Sequence, residues 1–62
     1  MNQIEVGDVV DVYFENVPNE FGMTVLYIPQ ATGDSWILRR PDGTIVEVQM
    51  FSKMVCDTAK EE

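Results

Sequence analysis

Apolar and polar residues alternate along VVDVYF, residues 9–14, with Val10, Val12 and Phe14 on one side and Asp11, Tyr13 and Glu15 on the other. A period of two in β-branched and aromatic residues predicts a strand with one wet face. The next stretch, ENVPNEFG, holds two asparagines, a proline and a glycine and reads as an irregular loop. MTVLYI, residues 23–28, predicts a second strand, apolar on both faces and closed by Pro29, which has no N–H to give to a ladder.

The clearest local pattern is WILRRPDGTIVEV, in which two β-rich runs flank Pro41, Asp42 and Gly43. Pro41 suits the first corner of a type I turn, and Gly43 can take the positive φ that a three-residue hairpin loop requires. That loop sets Arg40 opposite Thr44, Arg39 opposite Ile45, Leu38 opposite Val46, Ile37 opposite Glu47 and Trp36 opposite Val48. Trp36, Leu38, Val46 and Val48 then form the core side. Ile37, Arg39, Ile45 and Glu47 lie on the other, with Arg39 and Glu47 as a diagonal pair of opposite charge.

After Gln49 the alternation fails. MFSKMV predicts a tight helical turn leading into a last strand at 54–57. The spacing of Phe51, Met54, Val55 and Ala59 also fits a short amphipathic helix. An isolated helix of that length is marginal, which favours the turn and strand.

At 62 residues the chain is one domain, and a chain of this size buries only roughly 60% of the surface its unfolded form exposes. With 45% apolar and 24% charged residues, it is apolar enough to fold, as a single unit over 1–57 with a polar tail at 58–62. The one cysteine, Cys56, cannot form an internal disulfide and points to a reducing, cytoplasmic setting. No run approaches the roughly 20 apolar residues of a membrane span.

Formal charge is −7, and six acids, Glu5, Asp8, Asp11, Glu15, Glu20 and Asp34, precede the first basic residue, Arg39. Such a surface repels phosphates, so no direct contact with nucleic acid is expected. It attracts basic protein surfaces instead. Ser35, in GDSW, has no histidine anywhere in the chain to act as its base, and reads as the entrance to a strand after a Gly33–Asp34 turn. Cys56 lacks a histidine partner for the same reason and reads as a small, partly buried apolar residue. Asp8, Asp11 and Glu15 do not match a calcium loop, and with Glu5 they read as a solvated edge; no metal and no cofactor is expected. A fold this small rarely encloses a substrate cleft, and the chain reads as non-enzymatic.

The element order, a long loop after the first strand, a tight hairpin between the third and fourth and a helical turn before the last, resembles the Src-homology-3 type of barrel over residues 6–57. GDSW carries the closest local likeness, because that family often has Gly and Asp before paired tryptophans. Ser35 stands in place of the first tryptophan, the usual platform for proline-rich peptides, and Trp36 matches the second, structural one. The ALYDY stretch of the family is absent, although DVYFEN lies near its place, and QMFSKM lacks the proline and tyrosine of the usual turn. The resemblance therefore implies an all-β, five-stranded SH3-like barrel with a short helical turn before the last strand, and none of the family's ligand residues. A sheet with a short C-terminal helix is the alternative. The run ATGDSWILRRPDGTIVEVQMFSKMV also resembles small proteins from bacteria and their phages, a likeness that brings no activity with it.

What remains is surface. Tyr13, Phe21, Tyr27, Ile37 and Ile45 fall outside the expected core or only partly inside it, near the acids Glu15 and Glu20. Exposed aromatics beside acids are a common form of protein-binding surface. The expected role is contact with a basic protein partner or with a second copy in a homodimer; the alternative is an acidic mimic of nucleic acid, or an accessory subunit, occupying a nucleic-acid-binding protein.

Overall fold

A computed structural model describes residues 4–56. Its five antiparallel strands are β1 (Val9–Tyr13), β2 (Glu20–Tyr27), β3 (Trp36–Arg39), β4 (Ile45–Val48) and β5 (Lys53–Cys56). They form one sheet in the order β4-β3-β2-β1-β5. The chain thus meanders through four strands and returns β5 to the free side of β1. The sheet is not closed into a barrel. β5 takes its ladder from β1 and β4 takes its ladder from β3, so these strands are the two edges and no ladder joins them.

One face of every strand contributes to a single apolar cluster. Val10, Val12, Met23, Val25, Leu38 and Val48 are buried, with Ile4, Phe14, Ile28, Trp36, Val46, Phe51, Met54 and Cys56 packed round them. Bringing all five strands onto one cluster requires the sheet to coil about that face. Trp36 meets Phe51 edge to face, with centroids 6.1 Å apart, so the aromatic of β3 is covered by the connection between β4 and β5.

The hairpin has the expected register, from Trp36 opposite Val48 to Arg39 opposite Ile45. Gly43 N–H donates to the Arg40 carbonyl at 2.8 Å and Arg40 N–H donates to the Thr44 carbonyl at 2.8 Å, with Gly43 at φ +97°. Asp42 Oδ1 accepts from Thr44 N–H at 2.9 Å and ties the corner from its side chain.

β2 departs from the expected strand. It starts at Glu20 rather than Met23, and it carries an extra residue against each neighbour. Val10 pairs with Met23 and Val12 with Glu20, which leaves Phe21 and Gly22 together opposite Asp11. Gly22 takes φ +70°, and its N–H donates to Asp11 Oδ1 at 3.1 Å, so the Asp11 side chain occupies the donor that the bulge frees from the ladder. Further along, Val25 pairs with Leu38 but Tyr27 pairs with Ile37, and Leu26 is the surplus residue. Leu26 and Tyr27 are consequently both exposed while Ile28 returns to the core, which explains a run that reads apolar on both faces.

The helical turn before the last strand does not form. Ser52 N–H donates to the Tyr13 carbonyl at 2.7 Å, and the chain joins the side of β1 at once. β5 begins at Lys53, one residue before the expected strand, and its extended backbone also removes the alternative of a helix over this stretch. Residue 57 and the polar tail lie outside the described residues. Ser35 immediately precedes β3, after the turn closed by the Asp34 N–H bond to the Ala31 carbonyl at 3.0 Å.

Candidate functional site

A groove of about 440 Å³ runs beside β4. Val46, Glu47, Val48, Gln49 and Met50 form one wall, and Phe14, Val17 and Pro18 from the β1–β2 connection face them. The wall follows from the ladder, because Val46 and Val48 turn inward opposite Leu38 and Trp36. The irregular NVPN stretch makes no strand of its own and supplies the far side. A second hollow, of about 530 Å³, opens between Glu15, Asn16 and Gln49–Ser52 and shares Gln49 and Met50 with the first. Met50, 84% exposed, stands between them.

The carboxylates divide into two groups. Glu20 makes a two-pronged bond to Arg40, with Nε to Oε1 at 3.1 Å and Nη2 to Oε2 at 3.0 Å, and this pair forms one end of the groove. The Glu20 carboxylate raises the Arg40 pKa above its usual value. Asp8 accepts from Glu5 N–H at 2.9 Å and lies 3.6 Å from Cys56 Sγ, while Asp11 holds Gly22. Asp8 and Asp11 are therefore fold-holding groups rather than part of a solvated edge, and Cys56 is a polar contact as well as a packing residue. Glu15 and Glu47, in contrast, have no ion-pair partner among the described residues. The expected Arg39–Glu47 pair does not form; Arg40 pairs across to β2 instead.

Asp34 is the most heavily bonded acid. Its Oδ2 accepts from Gln30 N–H at 3.0 Å, Tyr27 O–H at 2.8 Å and Ala31 N–H at 3.2 Å, closing the β2–β3 connection. The Gln30 amide, then the Tyr27 hydroxyl and the Ala31 amide, hold its pKa below the usual carboxylate value. The same hydroxyl bond, aided by the nearby charge, raises the Tyr27 pKa.

The residues expected at a contact surface fall in separate places. Glu15 and Glu20 line the two hollows. Tyr13 and Phe21 meet edge to face on the outer side of the sheet, centroids 5.7 Å apart, with Lys53 Nζ 5.2 Å from the Tyr13 ring centre. Tyr27 belongs to the Asp34 clasp, opposite Ile37. Ile37 and Ile45 are diagonal neighbours on the outer face, Ile37 half-buried and Ile45 54% exposed. Sequence reasoning did not single out Val17, Arg40, Val46 or Met50 as contact residues. The signal for Met50 was present, since it stands where alternation stops; Arg40 had none, because its partner is twenty residues away.

No protein-family description, curated protein or solved structure matches the chain.

Proposed function

We propose that this chain is a non-enzymatic protein-interaction module with an SH3-like course of strands, acting in the cytoplasm on a partner with a basic surface. One observation carries the reading: Glu47 lines an apolar groove together with Phe14, Val17, Val46, Val48 and Met50, Glu15 lines the adjoining hollow, and neither acid has an ion-pair partner among the described residues. Apolar contact supplies affinity in such a surface, while the surrounding charge speeds and selects encounter. The long connection after β1 and the tight β3–β4 hairpin support the SH3-like reading.

The alternative, a mimic of nucleic acid, needs carboxylates free to stand in for phosphates. Asp8, Asp11, Glu20, Asp34 and Asp42 already accept bonds within the chain, which weighs against it. Affinity capture from a lysate of the source cell, comparing the wild type with Met50→Asp and Glu47→Lys, separates the readings. The expected result is a basic protein held by the wild type and lost from both variants. A captured protein that added DNA displaces favours the mimic, and retention of the same proteins by all three chains removes the groove from the reading. Self-association by way of Ile37 and Ile45 predicts a dimer that tightens with salt and is lost in Ile37→Lys, read by sedimentation equilibrium.

A further inference from the structure

The groove lies along a strand edge as well as between side chains. In an antiparallel ladder the directly bonded pairs alternate, and the Arg40 N–H bond to Thr44 sets their phase. Leu38 with Val46 and Trp36 with Val48 are the next bonded pairs, so the backbone groups of Val46 and Val48 point to β3. Those of Ile45 and Glu47 point the other way. No strand pairs with that side of β4 among the described residues.

Edge strands are commonly blunted with lysine, proline or a bulge. Both edge strands are four residues long and each carries one charge, Lys53 on β5 and Glu47 on β4, but β4, reading IVEV, has no lysine, proline or bulge and pairs with β3 without a break. Its free side therefore offers four backbone groups, those of two residues, in a regular extended array. The faces on either side differ in chemistry. Inward, Val46 and Val48 look across the groove to Phe14, Val17 and Pro18; outward, Ile45 and Glu47 stand on the exposed face.

We propose that β4 takes an extended segment of a partner protein as a sixth strand, one whose residues alternate between apolar and basic. The apolar ones enter the groove and a lysine or arginine lies beside Glu47. This rests on the protein-contact reading and names the chemistry of its partner. Main-chain bonds to Ile45 and Glu47 hold the segment, and the alternation selects it. Charge decides between this occupant and a second copy. A β4 from another copy brings a second Glu47 to a direct or diagonal position and sets two chains of charge −7 together, whereas a basic segment relieves both.

The test uses the full chain, labelled with ¹⁵N, and a short capped peptide of alternating valine and lysine. Two further peptides carry N-methyl groups, one on every valine and one on every lysine, so that each has lost the donors along one edge. The proposal expects that one methylated peptide binds about tenfold or more weakly while the other binds like the parent, since two lost backbone bonds amount to about that factor. Amide exchange at Ile45 and Glu47 should slow on binding, with little change at Val46 and Val48. Glu47→Lys should weaken the lysine peptide and favour a valine–glutamate one. Equal binding of both methylated peptides, or unchanged exchange at Ile45 and Glu47, overturns the edge pairing and leaves protein contact elsewhere on the surface. Absence of any binding overturns the proposed segment, while the protein-contact reading is decided by the capture experiment. Protection of the same amides that grows with protein concentration in the peptide-free chain assigns the edge to a second copy and overturns the basic partner.

Discussion

In the β3–β4 hairpin each residue from Trp36 to Arg39 has a single partner, whereas β2, in the same sheet, meets β1 and β3 with a surplus residue against each. The hairpin's register is dictated by a turn three residues long and closed within it. That of β2 is a compromise between two strands, one of them reached across an irregular loop. A local turn can be read from Pro, Asp and Gly at fixed offsets. A bulge answers to partners distant in the chain, and its only marks are a glycine at Gly22 and an aspartate at Asp11 that do not look related.

The two regions should nevertheless be equally dependent on the core. Leu38 on β3 and Met23 on β2 are both fully buried, and truncating either to Ala is expected to cost about 2–5 kcal/mol. A chain of this length has roughly 3–9 kcal/mol of stability in total, so both variants should be clearly destabilised and, at the low end of that range, unfolded, as read by urea denaturation. A stable Met23→Ala beside an unfolded Leu38→Ala would mean that β2 is held by its bulges more than by its packing.

Glycine substitutions should separate the regions. Gly43 at φ +97° lies outside the left-handed region that other residues visit, and Gly43→Val should cost about 1–3 kcal/mol. Gly22 at φ +70° lies near that region, and an added Cβ would rest 3.4 Å from Pro41 Cγ, in contact without overlap. Gly22→Ala should therefore cost less, about 1–2 kcal/mol. Equal midpoints for the two variants would place comparable strain at the bulge and the turn.

Side-chain ties offer a finer comparison. Asp11→Ala leaves a part-buried Gly22 N–H without its acceptor, at about 1 kcal/mol, whereas Asp42→Ala leaves an exposed Thr44 N–H that water can reach. The Asp11 variant should show the larger drop in thermal midpoint.

Acid should act through the clasps rather than the core. Asp34 and Asp42 have pKa values lowered in the folded chain, Asp34 first by the Gln30 amide and Asp42 by the Thr44 amide. A lowered folded pKa gives stability that is complete above the unfolded value of about 4 and is lost as pH falls below it. The melting temperature should thus decline below about pH 4, and Asp34→Asn should flatten the decline more than Glu47→Gln does. An identical slope in both variants would remove the β2–β3 clasp as its source.

The hairpin register and the inward set Val10, Val12, Phe14, Trp36, Leu38, Val46 and Val48 were legible in the residues alone, because each follows from spacing over a few positions. Among the expected contact residues, Tyr13, Ile37 and Ile45 were placed outside the core by alternation, and that logic located Ile45 on the surface. It could not reveal that Tyr27 is held by Asp34 or Glu20 by Arg40, since those partners meet only when β2 and the segments following it are brought together.

The stretch from Gln49 to Cys56 shows the boundary between the two kinds of information most plainly. Its residues suit a helical turn about as well as a strand, so local preference is nearly balanced, and the open side of β1 decided the matter by accepting Ser52 and then β5. The sequence by itself determined a small all-β chain with one defined hairpin and an acidic surface, because turn chemistry and alternation act between near neighbours. Only the tertiary structure decided that, among the described residues, the sheet stays open, β2 is bulged at Gly22 and Leu26, and β4 keeps a free edge beside an apolar groove. Each of those depends on which backbone groups distant strands leave unpaired, and no local pattern of side chains records that.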